Sequence, residues 1–311
     1  MDADVLRRWS QYGSRRWPDR LSHPFSRRSF LSATTAALFT PALSACSRGP
    51  RFGVRSPFPD KDLRRRAELA RRLGYDGIEL GPEFLDGSAD DIEAAMAGTG
   101  VAVSAIVGSL ALLDPDPEAR RRAVALDRRR IKLAQRLGAV GVIEVPVFGS
   151  CRFPGLANTP GPHRKEDELL IEGLRALAPD LASTGVQILI EPLTRKETHY
   201  MNLQQHGAHV IEEASTSGTA LLSDFYHMQL EEFDIGQTLS RVGRHTAYVH
   251  LADGVQRTEP GSLPFDYRPG FRALKAHGFC GWLTMECKAT DDPESSLRRA
   301  LAYIKRQWAD A

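Results

Sequence analysis

From residue 51 onward the chain alternates, eight times over, between a short apolar run and a longer segment with helical spacing. This alternation constrains the fold more than any other feature, because consecutive parallel strands need a crossover, usually a helix, between them. The strand-like runs are residues 52–55, 76–80, 101–107, 141–147, 187–190, 220–223, 246–251 and 282–285. The helix-like segments are 61–73, 89–97, 117–137, 166–184, 203–214, 235–242, 267–277 and a last one at 294–308. Gly74, Gly138 and Gly185 stand where helix C-termini need a residue free to turn left-handed. Eight such units in about 250 residues predict an α/β fold, a (β/α)8 TIM barrel. A doubly wound open sheet is the alternative. It lacks support, since neither G-x-G-x-x-G after the first strand nor GxxxxGK[ST] is present.

In such barrels the chemistry sits where strands end, at the C-terminal mouth. The run QILI (187–190) stops at Glu191, and Pro192 then forbids simple continuation of a central strand. The pattern recurs. The sixth run stops at Asp224, the seventh at His250 and the eighth at Glu286, at intervals of 33, 26 and 36 residues, each one βα unit long. Residues so spaced converge in a barrel. Three carboxylates and an imidazole are hard-to-borderline ligands that suit one divalent ion, Mn²⁺ first, with Co²⁺, Mg²⁺ and Zn²⁺ as alternatives. Without a cation the carboxylates would repel one another. Separate salt bridges at the rim are the bland reading of the same residues.

At these residues the chain resembles the xylose-isomerase-like sugar isomerase/epimerase superfamily, closest to D-tagatose/D-psicose 3-epimerases and hydroxypyruvate isomerases. The resemblance covers roughly residues 51–308. It is most specific in EPLTRKETHYMN (191–202), SDFYHM (223–228), VHLADGVQRTEPG (249–261) and MECK (285–288). It implies that Glu191, Asp224, His250 and Glu286 bind a single metal; Glu191 and Glu286, on strands separated by two others, are placed to flank a substrate as the catalytic acid–base pair. It further implies that His227 of the D-x-x-H motif and Arg257 contact substrate oxygens, and that Glu197 lies beside the substrate. The implied chemistry is proton removal next to a ketose carbonyl, through an enediolate. Return of the proton to the other face gives epimerisation, and return to the adjacent carbon gives isomerisation. A leaving group β to the carbanion would turn the same start into elimination.

The superfamily also holds apurinic endonucleases with three metals, which need histidines at the ends of early strands. Here the second run ends at Leu80-Gly81 and the third near Gly108-Ser109. Asp253 and Glu144 are extra acids but do not restore a trinuclear site. The net charge of +2 is unevenly placed: residues 1–45 hold seven Arg and three Asp, or +4, leaving the remainder near −2 (2 minus 4). A slightly acidic body argues against a phosphate-backbone partner, so no nucleic acid is expected. The arginine triplets at 120–122 and 128–130 flank Val124, Ile131, Ala134 and Leu137 with no interleaved aromatics, as on a solvated outer helix face.

Residues 1–50 read as a leader, and 51–311 as the barrel domain. Ser26-Arg27-Arg28-Ser29-Phe30-Leu31 matches a twin-arginine export signal, and residues 31–45 form a mild apolar stretch too short to span a membrane. Leu43-Ser44-Ala45-Cys46 resembles a lipobox. Lipidation of Cys46 would anchor the protein to a membrane facing the periplasm; ordinary cleavage after Ser44 is the rival. The implied partners are the twin-arginine machinery and a small sugar, and homodimerisation stays open. An exported enzyme would meet unphosphorylated sugars or keto-glycosides, which brings in a 3-keto-glycoside lyase or dehydratase as a second reading. A non-catalytic sugar-binding lipoprotein is a third. Loops 149–167 and 259–269, with Phe153, Phe265 and Tyr267, are expected to shape a partly apolar lid. Cys151, Cys280 and Cys287 form no C-x-x-C pair and indicate no disulfide framework.

Overall fold

A computed structural model describes residues 49–156 and 164–311. The leader, Cys46 and the twin-arginine pair lie outside the described residues. The described chain forms β1 (Arg51–Ser56), α1 (Leu63–Leu73), β2 (Gly77–Leu80), α2 (Ala89–Met96), β3 (Ala102–Val107), α3 (Pro117–Leu137) and β4 (Gly141–Glu144). It continues with α4 (Arg164–Thr184), β5 (Gln187–Ile190), α5 (Gln204–Ala214), β6 (Thr219–Asp224), α6 (Phe225–Glu231), α7 (Ile235–Val242), β7 (Thr246–Leu251), α8 (Arg268–Ala276), β8 (Trp282–Glu286) and α9 (Pro293–Ala309). The strands follow one another in sequence order around a closed barrel. All neighbours are parallel, and β1 closes on β8 with Arg51 opposite Trp282 and Val54 opposite Met285. This is the (β/α)8 barrel that the sequence pattern predicts.

Local chemistry explains the boundaries. Asp62 caps α1 by accepting from the Arg65 N–H, and Gly74 ends it with φ 90°. Asp116 accepts from Glu118 and Ala119 to start α3, which Gly138 stops at φ 68°. β4 is shorter than the expected 141–147 run and ends at Glu144. Pro146 has no N–H to give a ladder, and its carbonyl accepts the Leu113 N–H at 2.9 Å. Helix α6 is absent from the sequence reading. It is seven residues long and follows β6 without a linker, because Asp224 ends the strand and caps the helix at once, accepting from the Tyr226 N–H.

Alternate strand residues face opposite ways. One set, including Val54, Ile106, Ile188, Ile190, Val249, Leu251, Leu283 and Met285, packs with the helices in the main core. The other set, Ala105, Ile143, Leu189, Ala220, Leu222, Tyr248 and Trp282, forms a smaller cluster of its own. We take it as the barrel filling. Glycine makes room there: a Cβ on Gly77 would lie 2.4 Å from the Trp282 ring, and one on Gly53 would lie 2.5 Å from Thr284 Oγ1. Glu191, Asp224 and His250 come two residues past Leu189, Leu222 and Tyr248 of this inward set, Glu286 four past Trp282, and Glu79 two past Gly77, whose missing side chain the Trp282 ring replaces. Parity alone thus carries these side chains up the bore toward the mouth.

Tyr267 corrects the expected lid. It is fully buried, its ring packed against both Phe225 and Phe271, which also touch each other. Its hydroxyl donates to Asp253 Oδ1 at 2.6 Å. It belongs to the packing of the β7–α8 segment. Phe153 is likewise buried, within the main core.

Candidate active site at the barrel mouth

Glu191, Asp224, His250 and Glu286 come together: each offers one ligand atom, and these atoms all lie within 4.8 Å of one another. His250 Nδ1 is 2.9 Å from Glu286 Oε2 and 3.4 Å from Glu191 Oε1. Glu191 and Asp224 are buried, with 6% and 0% exposure. The bland reading, unrelated ion pairs around the rim, does not describe this packing.

The charges are interdependent. Burial raises the Glu191 carboxyl, and Glu286 and Asp224 add to the effect against the opposing pull of His250. Burial raises Asp224 as well, offset by Arg257 and His250. Burial pushes Glu286 the same way, but His250, Arg257 and Arg55 outweigh it and hold that carboxyl well below the usual range. For His250, burial opposes the charged form, yet Glu79, Glu286 and Glu191 overcome it and raise the imidazole well above its ordinary value. Such a concentration of buried acids needs positive charge. Arg257 supplies some, with Nη2 2.8 Å from Asp224 Oδ2 and paired also with Glu286 Oε2. The Arg257 backbone has φ 56°, a left-handed conformation uncommon for a non-glycine residue. Its guanidinium lies 4.7 Å from the Tyr226 ring centroid.

His227 sits one helical turn after Asp224 and is 2% exposed. Its Nδ1 accepts the Thr194 N–H at 3.0 Å, so the proton of a neutral ring rests on Nε2. Burial lowers its pKa and favours that neutral form. Among the described residues, Nε2 is one of three buried side-chain nitrogens or oxygens that make no hydrogen bond. The nearest acid, Asp224 Oδ2, is 3.5 Å away. A buried donor left without an acceptor costs free energy, and here it stands beside the acid cluster, where a ligand oxygen would satisfy it. Glu197 is half-buried, and its charge acts on Arg257, Tyr226 and His227.

Sequence reasoning missed two members. Glu79 lies on β2, 2% exposed, with Oε2 2.7 Å from His250 Nε2. It also accepts the Tyr248 hydroxyl at 3.1 Å. Arg55 on β1 places Nε 3.2 Å from Glu79 Oε1 and 3.7 Å from Glu286 Oε1. The available signal was an acid in the all-apolar setting of GIEL, a run buried at every position. An unpaired charge does not persist there.

The two extra acids noted in the sequence shape loops. Glu144 accepts from the backbone N–H groups of Leu110, Ala111 and Leu112 and from Ser109 Oγ. Asp253 accepts from the Gly261 and Leu263 N–H groups. Glu231, on α6, does the same for Thr194 and Arg195. Buried carboxylates thus hold three of the βα loops in place.

The site fits a divalent ion by its donor set: three carboxylates and one imidazole from four successive strands, with the imidazole fixed from behind by a carboxylate.

A family model described as "Xylose isomerase-like TIM barrel" matches residues 67–307. The chain is 26% identical over 253 residues to the 3-dehydro-D-guloside 4-epimerase of Escherichia coli (strain K12), covering 80% of this chain and 95% of that one. It is 26% identical over 270 residues to a probable ketose 3-epimerase of Synechocystis sp., covering 83% and 89%. Among solved structures, the apo form of a 3-keto-D-glucoside 4-epimerase from E. coli superposes with a TM-score of 0.74 at 24% identity, over 83% of this chain and 99% of that chain. This last likeness speaks for the fold.

Proposed function

Because the chain belongs to the xylose isomerase-like TIM-barrel family, we propose that it is a divalent-metal-dependent epimerase or isomerase of a keto-sugar. The observation that carries the reading is the convergence of Glu191, Asp224, His250 and Glu286 within 4.8 Å beside the unpartnered Nε2–H of His227. Relatives named as sugar epimerases support it.

In this reading Glu191, Asp224, His250 and Glu286 hold the ion. A divalent ion so held supplies Lewis acidity that makes the C–H beside a carbonyl easier to ionise. Glu191 and Glu286 stand on β5 and β8, separated around the barrel by β6 and β7. One carboxylate takes the proton from the carbon next to the carbonyl; the other delivers one to the opposite face, inverting that centre with no net change in protons. His227 donates Nε2–H to a substrate oxygen. Arg257 pairs with the charge that develops, and Glu197 orders the sugar hydroxyls at the rim.

The test is incubation of the purified protein and Mn²⁺ with keto-sugars and 3-keto-glycosides in D₂O. The expected result is deuterium at the carbon beside the carbonyl with full recovery of sugar mass, lost in Glu191→Gln and Glu286→Gln. No exchange with any keto-sugar overturns the proposal in favour of a binding protein. A relative whose name specifies a 3-dehydro-glycoside substrate gives elimination a hearing: a released aglycone or an unsaturated sugar would assign a lyase.

We further propose export through the twin-arginine leader and lipidation at Cys46. Expression in a twin-arginine-competent host should place the protein in the membrane fraction. Arg27→Lys with Arg28→Lys should retain it in the cytoplasm, and Cys46→Ser should release it from the membrane. A protein that stays cytoplasmic in the competent host refutes the assignment.

A further inference from the structure

A second cluster of metal-ligating side chains lies outside the acid site. Cys151 is in the loop after β4, Glu166 in the first turn of α4, and His199 in the loop after β5. Each offers a donor atom, and the three atoms lie within 4.8 Å of one another. Cys151 is 8% exposed and Glu166 is 0% exposed. The Cys151 thiol is 3.9 Å from Glu166 Oε1, and His199 Nε2 is 2.5 Å from the same oxygen.

The orientation of His199 is informative. Its Nδ1 is 3.1 Å from the Gly149 carbonyl oxygen. A carbonyl only accepts, so Nδ1 carries a proton and a neutral ring aims the Nε2 lone pair at the Glu166 carboxylate. Two electron pairs face each other unless a cation lies between them. A second ring proton would serve, making a buried ion pair; so would a metal ion. A backbone carbonyl behind the ring and a thiol beside the carboxylate match the way protein zinc ligands are held. Tetrahedral zinc, with donors at about 2.0–2.3 Å, needs its ligand atoms roughly 3.3–3.7 Å apart. The Cys151–Glu166 separation of 3.9 Å lies a little above that range and the His199–Glu166 separation of 2.5 Å, a direct hydrogen bond, lies below it, so the ring must draw back as the ion enters.

We propose that Cys151, Glu166 and His199 form a second metal site, selective for Zn²⁺ or Co²⁺ because it contains a thiolate. The ion would join the β4–α4 and β5–α5 loops. The two loops already meet there: the Gly149 N–H donates to the Glu197 carbonyl at 2.7 Å, and the His199 N–H donates to the Gly149 carbonyl at 2.9 Å. Binding would release the Cys151 thiol proton and any proton shared by His199 and Glu166. Its role is to fix the rim segment that carries Glu197.

Cobalt titration of the purified full chain tests this, since the first site contains no sulfur. The expected result is two equivalents bound, with a near-ultraviolet sulfur-to-cobalt charge-transfer band. Cys151→Ser and His199→Ala should each lose the band and one equivalent. Glu191→Gln should keep the band and lose only the other equivalent, and Cys280→Ser should keep both. A wild type without the band, or a band that survives in Cys151→Ser, overturns the proposal. Should a variant fail to fold, alkylation of wild-type Cys151 decides: Zn²⁺ protects the thiol if the site exists, and unchanged labelling refutes it.

Discussion

Glu79 and His250 are joined across the barrel filling: Oε2 on β2 lies 2.7 Å from Nε2 on β7. Nδ1 of the same ring faces Glu191 and Glu286. One imidazole therefore links an inner acid to the cluster at the mouth. A carboxylate behind a ligating histidine fixes the tautomer and makes the ring a better donor. We predict that Glu79→Gln keeps the fold and lowers divalent-metal affinity roughly 10–100-fold, measured by competition with a chelating dye. Unchanged affinity would remove Glu79 from the site.

His227 is expected to act on substrate and not on the ion. His227→Ala should lower kcat/KM by about 10–100-fold, the worth of one strong hydrogen bond in a dry site. Metal content, read by mass spectrometry of the dialysed protein, should match the wild type. Loss of the metal would mean that the ring supports the ligands instead.

Asp127 gives a pH dependence whose sign is set by its raised pKa. Burial pushes this carboxyl up to about 6, against the opposing hydrogen bonds from Ser109. The folded state therefore holds a proton that the unfolded state, near 3.8, releases. Stability from this group is fully present below the unfolded value and falls as pH rises through about 6. Asp127→Asn removes the loss, so Tm at pH 8 should rise relative to wild type, by the equivalent of roughly 1–3 kcal/mol, and the two should converge at pH 4. Parallel Tm curves across that range would contradict the assignment.

Gly77 is required by Trp282. A methyl group at 2.4 Å from the indole cannot be accommodated without moving one of them. Gly77→Ala should destabilise the barrel by about 1–3 kcal/mol in urea unfolding, the usual cost of overpacking. Trp282→Leu should cost stability alone yet partly rescue the double variant. Additive effects would show that the ring and the glycine do not share the space.

Much of the scaffold was legible from periodicity. The bounds of α3, β5, α7 and β7 fall where spacing and capping residues put them. Glu191, Asp224, His250 and Glu286 were legible because each ends an apolar run, and a charge at such an edge has a ready reason to be there. Helix α6 was not, because seven residues are too few for a helical period to declare itself against a strand that ends in its cap. Glu79 and Arg55 were hidden for the opposite reason. They sit within strands, and only barrel closure sets them beside His250 and Glu286.

The order of residues alone determined the eightfold alternation, the strand ends and the acids upon them, since these depend on side-chain periodicity over a few residues. The partners of those acids were decided only by closure of the sheet. Closure sets β1 against β8 and carries residues more than 170 positions apart, such as Glu79 and His250 (|i−j| = 171), to within hydrogen-bond reach. Local sequence chooses which way a side chain points; the geometry of a closed, tilted barrel chooses what it meets.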